Sequence, residues 1–200
     1  MGGRGSYSGK STAKNSTSSI LGDKVLDYNP NTLSDVRGAS KSSNPEGYHN
    51  NCQRCVVAME ARMQGYDVEA LPTHENDPYR KNNAWTKFFG KDLNALNWIN
   101  GNDPAPTVKS TKTKILEKMG EWGPNSRAVL AVKWADRSYG HAMMLVNTGF
   151  GVQLLDPQTG VIHSMNSILS KSSLNQVRIL RVDDANLDNE YIGKAVKKRG

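Results

Sequence analysis

The sequence contains few cysteines, no long apolar run and no apolar segment near its N-terminus. Two cysteines, Cys52 and Cys55, among 200 residues are too few for a disulfide-stabilised scaffold. A membrane-spanning helix needs about 20 consecutive apolar residues, and the mean hydropathy of −0.63 agrees with their absence. Because the first ten residues, MGGRGSYSGK, lack an apolar core, we expect no ordinary secretory signal. These absences favour a water-soluble chain that folds around its own core.

The chain has 26 basic and 19 acidic residues, which gives a formal net charge of +7. This excess suggests a nucleic-acid partner only if it lies on the folded body. Residues 1–46 carry a net +2 and residues 194–200 a net +4, which leaves +1 for the remainder. The body also lacks the interleaved aromatic and basic residues of single-strand binders. We therefore expect no nucleic-acid partner and interpret the terminal basic cluster as solvated.

Composition divides the chain into three parts. Residues 1–46 are rich in Gly, Ser, Thr and Asn, so we expect a low-complexity, flexible region in which 1–19 is disordered. Within it, 20–40 could form a turn or short helix against the body. Residues 47–185 form the expected folded domain, and 186–200 the expected basic tail.

The hydrophobic pattern changes from helical to strand-like along the domain. Apolar residues recur at three- and four-residue spacing in 51–64, where Asn50 or Asn51 could cap the helix and Gly65 could end it. A second helix is predicted near 110–121. Apolar runs typical of strands then follow at 126–136, 141–147, 151–156 and 176–182, separated by Gly, Asn and Asp. Helices followed by consecutive strands predict an α+β fold with an antiparallel sheet.

A short loop joins two of these candidate strands, 141–147 and 151–156, which predicts that they form a hairpin. If the loop has two residues (148–149) or four (147–150), the strands pair so that His141 lies directly opposite Asp156. A carboxylate facing an imidazole orients the ring and stabilises its protonated form, as a catalytic base requires. The alternative is a structural hydrogen-bonded pair. His163 alternates with Val161 and is typical of a surface or interface histidine.

Cys52 falls in the first turn of the first predicted helix. There the positive end of the helix dipole favours a thiolate, and unpaired backbone N–H groups could stabilise an oxyanion. Cys55 lies one turn further on and fits a packing role. A zinc site with His49 and His74 would need irregular spacing, and a thioredoxin-like redox motif would need a preceding strand, so neither is favoured.

A helix-start cysteine, then a histidine, then an aspartate on successive strands follows the order of papain-like cysteine enzymes. Three segments resemble the papain-fold toxin family, which comprises protein-glutamine deamidase domains of bacterial polymorphic toxins and effectors. They are NCQRCVVAMEARMQGYDVEALP, SRAVLAVKWADRSYGHAMMLV and GVQLLDPQTG. The first residues, MGGRG, also resemble the starts of phage- and prophage-encoded proteins.

The resemblance implies a papain-like fold in which a helix carrying the cysteine packs on an antiparallel sheet carrying the histidine and the aspartate. It makes Cys52 the nucleophile, with Cys55 as the alternative thiol, His141 the general base and acid, and Asp156 its orienting partner. Asn51 and Gln158 match positions near the oxyanion or the substrate. The implied reaction needs no metal and no organic cofactor. The same residues could also serve a protease or a transglutaminase.

The resemblance also implies a protein substrate, with an immunity protein or a virion component as a further partner and no membrane association. The expected place of action is the cytoplasm of a target cell. An alternative from a different class is a virion-associated or protein-interaction protein that keeps the papain-like scaffold without turnover.

Overall fold

A computed structural model describes residues 20–80, 84–187 and 189–200. The segment 1–19, for which the sequence predicts disorder, lies outside the described residues. No described helix is long and apolar enough to cross a membrane.

The chain folds into helices followed by a run of strands, in the order that the hydrophobic pattern predicts. The α-helices are α1 (Leu33–Lys41), α2 (Cys52–Met63), α3 (Val108–Trp122) and α4 (Met165–Leu169). The strands are β1 (Val68–Ala70), β2 (Asn97–Trp98), β3 (Arg127–Lys133), β4 (Gly140–Asn147), β5 (Val152–Asp156), β6 (Val161–His163), β7 (Arg178–Arg181) and β8 (Val196–Lys198). Short 3-10 helices, including Pro78–Arg80 and Ala84–Phe89, lie in the connections.

Two antiparallel sheets make up the β-structure. The larger has six strands in the order β2-β7-β3-β4-β5-β6, and the smaller pairs β1 with β8. All of the pairings are antiparallel, so the predicted α+β class with an antiparallel sheet is confirmed. Strands β3 and β4 occupy the middle of the larger sheet, and their buried residues face helices on both sides.

Alternate residues of the central strands contribute to two separate apolar cores. Helix α2 belongs to the first core, in which Met59 shares the interior with Met144 and Leu155. Helix α3 belongs to the second, which joins Ile115 to Leu145. Because successive strand residues point to opposite faces, the nearly continuous apolar runs of β3 and β4 fit a sheet that is covered on both faces.

Helix α2 is buried along almost its whole length, and a bidentate ion pair ties it to the sheet. Glu60 has no exposed surface, and its carboxylate accepts hydrogen bonds from the Arg127 guanidinium of β3 at 2.6 and 2.7 Å. Burial raises the pKa of Glu60, although the hydrogen bonds from Arg127 oppose this shift. At the other end of the helix, Gly65 has φ = 103°, which suits the residue that ends a helix.

The structure differs from the sequence prediction at both ends of the described chain. Residues 33–41 form α1, whose Val36 and Ala39 are buried, which agrees with the short helix expected near 20–40 but places an ordered element inside the predicted flexible region 1–46. Near the C-terminus, Val196–Lys198 forms β8 and pairs with β1. The predicted tail at 186–200 is therefore wrong for these residues. The strand is hard to predict from the sequence because only Val196 of its three residues is buried, so the segment shows no apolar pattern.

Candidate active site

The hairpin of β4 and β5 places His141 and Asp156 at the same end of the sheet. The observed register pairs Met144 with Leu155 and Asn147 with Val152, so the predicted register with His141 directly opposite Asp156 is wrong by two residues. A four-residue loop, 148–151, separates the strands, and the Thr148 hydroxyl donates to the Gly151 carbonyl at 3.0 Å. Since a shift of two residues preserves the face of every side chain, His141 and Asp156 still come together, as diagonal neighbours.

The turn after β5 fixes the Asp156 carboxylate. The Gln158 backbone N–H donates to Asp156 Oδ1 at 2.9 Å, and the Gly160 N–H donates to the Asp156 carbonyl at 2.7 Å. Gly160 has φ = 73°, which glycine adopts without the steric cost of a side chain. The DPQTG sequence is thus a turn that leaves Asp156 Oδ2 pointing toward the histidine.

His141 and Asp156 form a buried, hydrogen-bonded pair. His141 Nε2 lies 3.0 Å from Asp156 Oδ2, and the aspartate is 5% exposed. Burial by itself would lower the pKa of His141, but hydrogen bonds to Asp156 and Cys52 raise it to about 10. Burial likewise would raise the pKa of Asp156, while His141 and the Gln158 N–H lower it overall. The pair is therefore an imidazolium and a carboxylate at neutral pH.

Cys52 is the first residue of α2 and is half-buried at the same site. Its thiol interacts electrostatically with His141, whose Nε2 is already engaged by Asp156, so Nδ1 is the ring nitrogen available to face the sulfur. The first N–H groups of a helix have no partner within the helix, and those of Cys52 and Gln53 belong to this turn. A thiol, an imidazolium and N–H donors thus meet at one point.

Cys55 occupies a different environment, one turn further along α2. It is fully buried, and burial strongly raises the pKa of its thiol, with the charge of Cys52 adding to the shift. Its Sγ donates to Asn51 Oδ1 at 3.2 Å. The geometry therefore favours Cys52 over Cys55 as a reactive thiol and assigns Cys55 a packing role.

Asn51 and Gln158 support the site in different ways. Asn51 is fully buried, and its amide nitrogen donates to Asn44 Oδ1 at 3.3 Å and to the Leu71 carbonyl at 3.1 Å. Asn51 is the N-cap residue of α2, as the sequence predicts, although its side chain makes no capping hydrogen bond. Asn51 Oδ1 instead accepts from Gln158 Nε2 at 3.2 Å. Gln158 is half-buried and lines the same cleft as Cys52. Its side chain is therefore placed where it can contact a substrate.

An open cleft of about 1000 Å³ gives access to Cys52, His141 and Asp156. Its walls come from the start of α2, from the 3-10 helices before β2, and from the ends of β3, β4 and β7. Trp134 stacks on the His141 ring with centroids 6.1 Å apart and an interplanar angle of 20°.

Three structural features of the site are missing from the sequence prediction. His163 Nε2 lies 3.9 Å from Asp156 Oδ2, beyond hydrogen-bond range, because β6 pairs with β5 and places His163 diagonally to Asp156. The DPQTG turn predicts a second hairpin, and its alternation places His163 on the same face as Asp156.

Arg54 of α2 forms a buried ion pair with Asp77 and donates to the Pro72 carbonyl at 2.7 Å. No local sequence signal indicates that pair.

Gly140, the third such feature, precedes His141 where β4 approaches β3 closely. A Cβ added at Gly140 would lie 2.1 Å from the Val132 carbonyl oxygen, a distance that no side chain tolerates. The glycine therefore allows the close approach of the two strands that sets the position of His141.

Among the described residues, no group of three or more His, Cys, Asp and Glu side chains is arranged to hold a metal ion. The zinc alternative with Cys52, Cys55, His49 and His74 thus has no geometric support within the described part of the chain.

A half-buried thiol at the start of a helix, beside a histidine that a buried aspartate orients, is the arrangement of papain-like cysteine enzymes. The sequence matches the family described as papain fold toxin 1, glutamine deamidase, over residues 50–161. This match covers more than half of the chain, and the chain belongs to this family. Searches of curated proteins and of solved structures give no match.

The family membership confirms the predicted papain-like fold and the enzyme class, a papain-like hydrolase that deamidates glutamine. The matched range includes Cys52, His141 and Asp156. Helix α2 carries the cysteine, and adjacent strands of the antiparallel sheet carry the histidine and the aspartate.

Proposed function

We propose that this chain hydrolyses the side-chain amide of a glutamine in a target protein, with Cys52, His141 and Asp156 as its catalytic residues. The observation that carries the proposal is the position of His141, which is hydrogen-bonded to the Asp156 carboxylate at 3.0 Å and lines the same cleft as Cys52, with which it interacts electrostatically. The family membership supplies the reaction class. A glutamine side chain in the cleft would meet the sulfur at the helix start.

In the first half of the reaction, the Cys52 thiolate attacks the amide carbon of the glutamine side chain. The carbonyl oxygen becomes an oxyanion, for which the N–H groups of the first turn of α2 are the nearest donors. His141 then donates its proton to the amide nitrogen, the C–N bond breaks, and ammonia leaves. A thioester between Cys52 and the former glutamine remains.

In the second half, His141 accepts a proton from a water molecule that attacks the thioester carbon. The C–S bond breaks, glutamate is released, and the thiolate and imidazolium are restored. Asp156 keeps the ring oriented and stabilises its positive charge throughout. We assign Gln158 to substrate contact, because it lines the cleft beside Cys52, and Asn51 to positioning of Gln158.

The proposal is tested by incubating the full chain with soluble extract of candidate target cells and mapping peptides by mass spectrometry. Conversion of glutamine to glutamate adds about one mass unit at a single site. We expect this change with the wild type and its loss with Cys52→Ala and His141→Ala. Peptide-bond cleavage would instead indicate a protease, and an amine adduct would indicate a transglutaminase.

Two matched variants separate the catalytic residues from their neighbours. Cys55→Ala should retain deamidation, since Cys55 packs inside the core. His163→Ala should also retain most of it, since His163 lies 3.9 Å from the carboxylate. The catalytic assignment is refuted if Cys52→Ala, His141→Ala and Asp156→Asn all remain active.

Action in the cytoplasm of a target cell, with an immunity protein or a virion component as a partner, is proposed on family membership alone.

A further inference from the structure

The charges that line the cleft are nearly all positive. Arg80, Lys133 and Arg178 contribute to its walls. Among the described residues that line it, Asp156 is the only acid, and its carboxylate is buried against the His141 imidazolium at 3.0 Å. A ligand entering the cleft therefore meets cationic side chains before it reaches the thiol.

The cations lie on both sides of Cys52. Arg80 ends a short 3-10 helix, and its carbonyl accepts from Gln53 Nε2 at 3.5 Å, which places it beside the residue that follows the thiol. Lys133 ends β3 opposite Gly140, next to His141. Arg178 begins β7 opposite Ala131 and holds its guanidinium 5.0 Å from the centre of the Trp98 ring. A polypeptide crossing the site passes cations both before and after the reacting residue.

Two of these cations are exposed, and the protein does not neutralise them. Within the ranges that the structure describes, neither Arg80 nor Lys133 has an ion-pair partner, and both side chains reach solvent. Positive charge concentrated in a cleft raises the local concentration of anionic ligands. Residues 47–193, the cleft included, carry a net charge of only +1, although three of their basic side chains line this cleft.

We infer that the enzyme selects glutamine residues whose sequence neighbours are aspartate or glutamate, a substrate class that rests on the proposed deamidase function. The cleft cations pair with acidic side chains on either side of the glutamine and leave its amide over Cys52. A peptide fits better than a nucleic acid, because the cleft leads to the thiol of the proposed acyl-transfer site.

Binding is measured separately from turnover with the full-length Cys52→Ser variant. The probes are the peptides acetyl-EEQEE-amide, acetyl-SSQSS-amide and acetyl-KKQKK-amide. Tryptophan fluorescence or calorimetry measures the dissociation constant of each. Two or three exposed ion pairs predict that the acidic peptide binds about tenfold more tightly than the serine peptide and that the lysine peptide binds most weakly. Raising the salt concentration to about 0.5 M should remove most of this difference.

Charge reversals locate the effect in the cleft. Lys133→Glu and Arg80→Glu should each bring the affinity for the acidic peptide close to that for the serine peptide. Lys109→Glu makes the same change in net charge on α3, outside the cleft, and should leave the ratio of affinities unchanged.

Equal binding of the three peptides, no measurable binding of the acidic peptide at millimolar concentration, or tighter binding of a single-stranded ten-nucleotide oligothymidylate would each overturn the inference. Wild-type turnover then separates the two proposals. Deamidation without preference for acidic neighbours leaves the proposed function standing and refutes this one. Preferential binding of the acidic peptide without deamidation of any protein supports the cleft specificity and refutes the proposed reaction.

Discussion

At the scale of single residues, His141 lies between a carboxylate and a thiol, and both neighbours increase its affinity for a proton. Its pKa rises to about 10 although burial alone would lower it. An imidazolium that keeps its proton at neutral pH stabilises a thiolate beside it and can give that proton to departing ammonia. In the proposed mechanism, the acid needed in the first half-reaction is thus present before substrate arrives.

The contribution of Asp156 to the protonation of His141 can be measured directly. Asp156→Asn removes the negative charge 3.0 Å from Nε2 and should lower the pKa of His141 by about one to three pH units. Titration of the imidazole Cε1–H by NMR, in wild type and variant, gives both values. The assignment is contradicted if the two titration curves coincide.

The free energy of unfolding should depend on the protonation of His141. The folded-state pKa of His141 lies above its unfolded value of 6.5, so its charged form stabilises the folded protein fully below about pH 6.5, and this contribution is lost as the pH rises toward 10. Urea unfolding at pH 6 and pH 9.5 should therefore show a larger loss of unfolding free energy for the wild type than for His141→Gln. A loss of equal size in the two proteins would exclude this coupling.

The positions of the two thiols along the helix could be predicted from the sequence, whereas the contacts of Asn51 could not. A helix-start position is visible in the local pattern, and the structure places Cys52 and Cys55 accordingly. The Asn51 amide is held by Asn44, Leu71 and Gln158. Gln158 is 107 positions away, and no local pattern encodes a contact across that separation.

At the scale of secondary-structure elements, the close approach of β3 and β4 sets the position of His141. The ladder between them runs from Arg127–Val146 to Lys133–Gly140, and the glycine leaves room for the Val132 carbonyl. On the other side of β4, the paired register with β5 stops at Met144–Leu155. Beyond that point the His141–Asp156 side-chain bond links the two strands, and both residues line the cleft.

Gly140→Ala should displace His141 without removing any catalytic group. The added Cβ would lie 2.1 Å from a backbone oxygen, so the end of the hairpin must move. We expect deamidation to fall at least tenfold, and the pKa of His141 to fall as its bonds to Asp156 and Cys52 lengthen. The NMR titration described above and an assay of ammonia release measure the two effects.

Gly120→Ala is the matched control for this substitution. Gly120 lies in α3 with no atom within 4 Å of the added Cβ, and alanine in a helix stabilises by about 0.5–1 kcal/mol relative to glycine. This variant should gain stability and keep full activity. Equal activity of the two glycine variants would show that the position of Gly140 does not matter for the site.

The hairpin register shows what an element-level argument can and cannot predict. Strict alternation along β4 and β5 correctly predicts that His141 and Asp156 share a face. The position of the four loop residues depends on bonds such as that of the Thr148 hydroxyl to the Gly151 carbonyl, which alternation does not specify. The predicted pair is therefore correct in its partners and wrong by two residues in its register.

At the scale of the whole molecule, α2 is held by contacts from distant parts of the chain. Arg54 binds Asp77 and donates to the Lys194 carbonyl at 2.8 Å, while Glu60 binds Arg127. The smaller sheet pairs β1 with β8 near the chain end. Local propensity predicts the helices and the central strands, but it does not predict these long-range pairings, since each depends on where the rest of the chain folds.

Deleting residues 196–200 tests whether the C-terminal strand belongs to the fold. The deletion removes buried Val196 and the bond of Lys197 Nζ to Glu69 at 2.9 Å, so the melting temperature should fall by about 5 °C or more. Thermal unfolding followed by circular dichroism measures it. Lys198→Ala, which alters an exposed side chain of the same strand, should change it little. An unchanged melting temperature after the deletion would restore the interpretation of this segment as a solvated tail.

The most direct test of the central claim is the rate at which iodoacetamide labels Cys52 at pH 6 in the native protein. A thiol beside the His141 imidazolium should react roughly tenfold or more faster than glutathione, because an ordinary thiol is almost fully protonated at that pH. Cys55 should stay unlabelled until the protein is denatured, and His141→Ala should bring the rate of Cys52 close to that of glutathione. A wild-type Cys52 that reacts no faster than glutathione, or a rate that His141→Ala leaves unchanged, would contradict the claim that these residues form one catalytic unit.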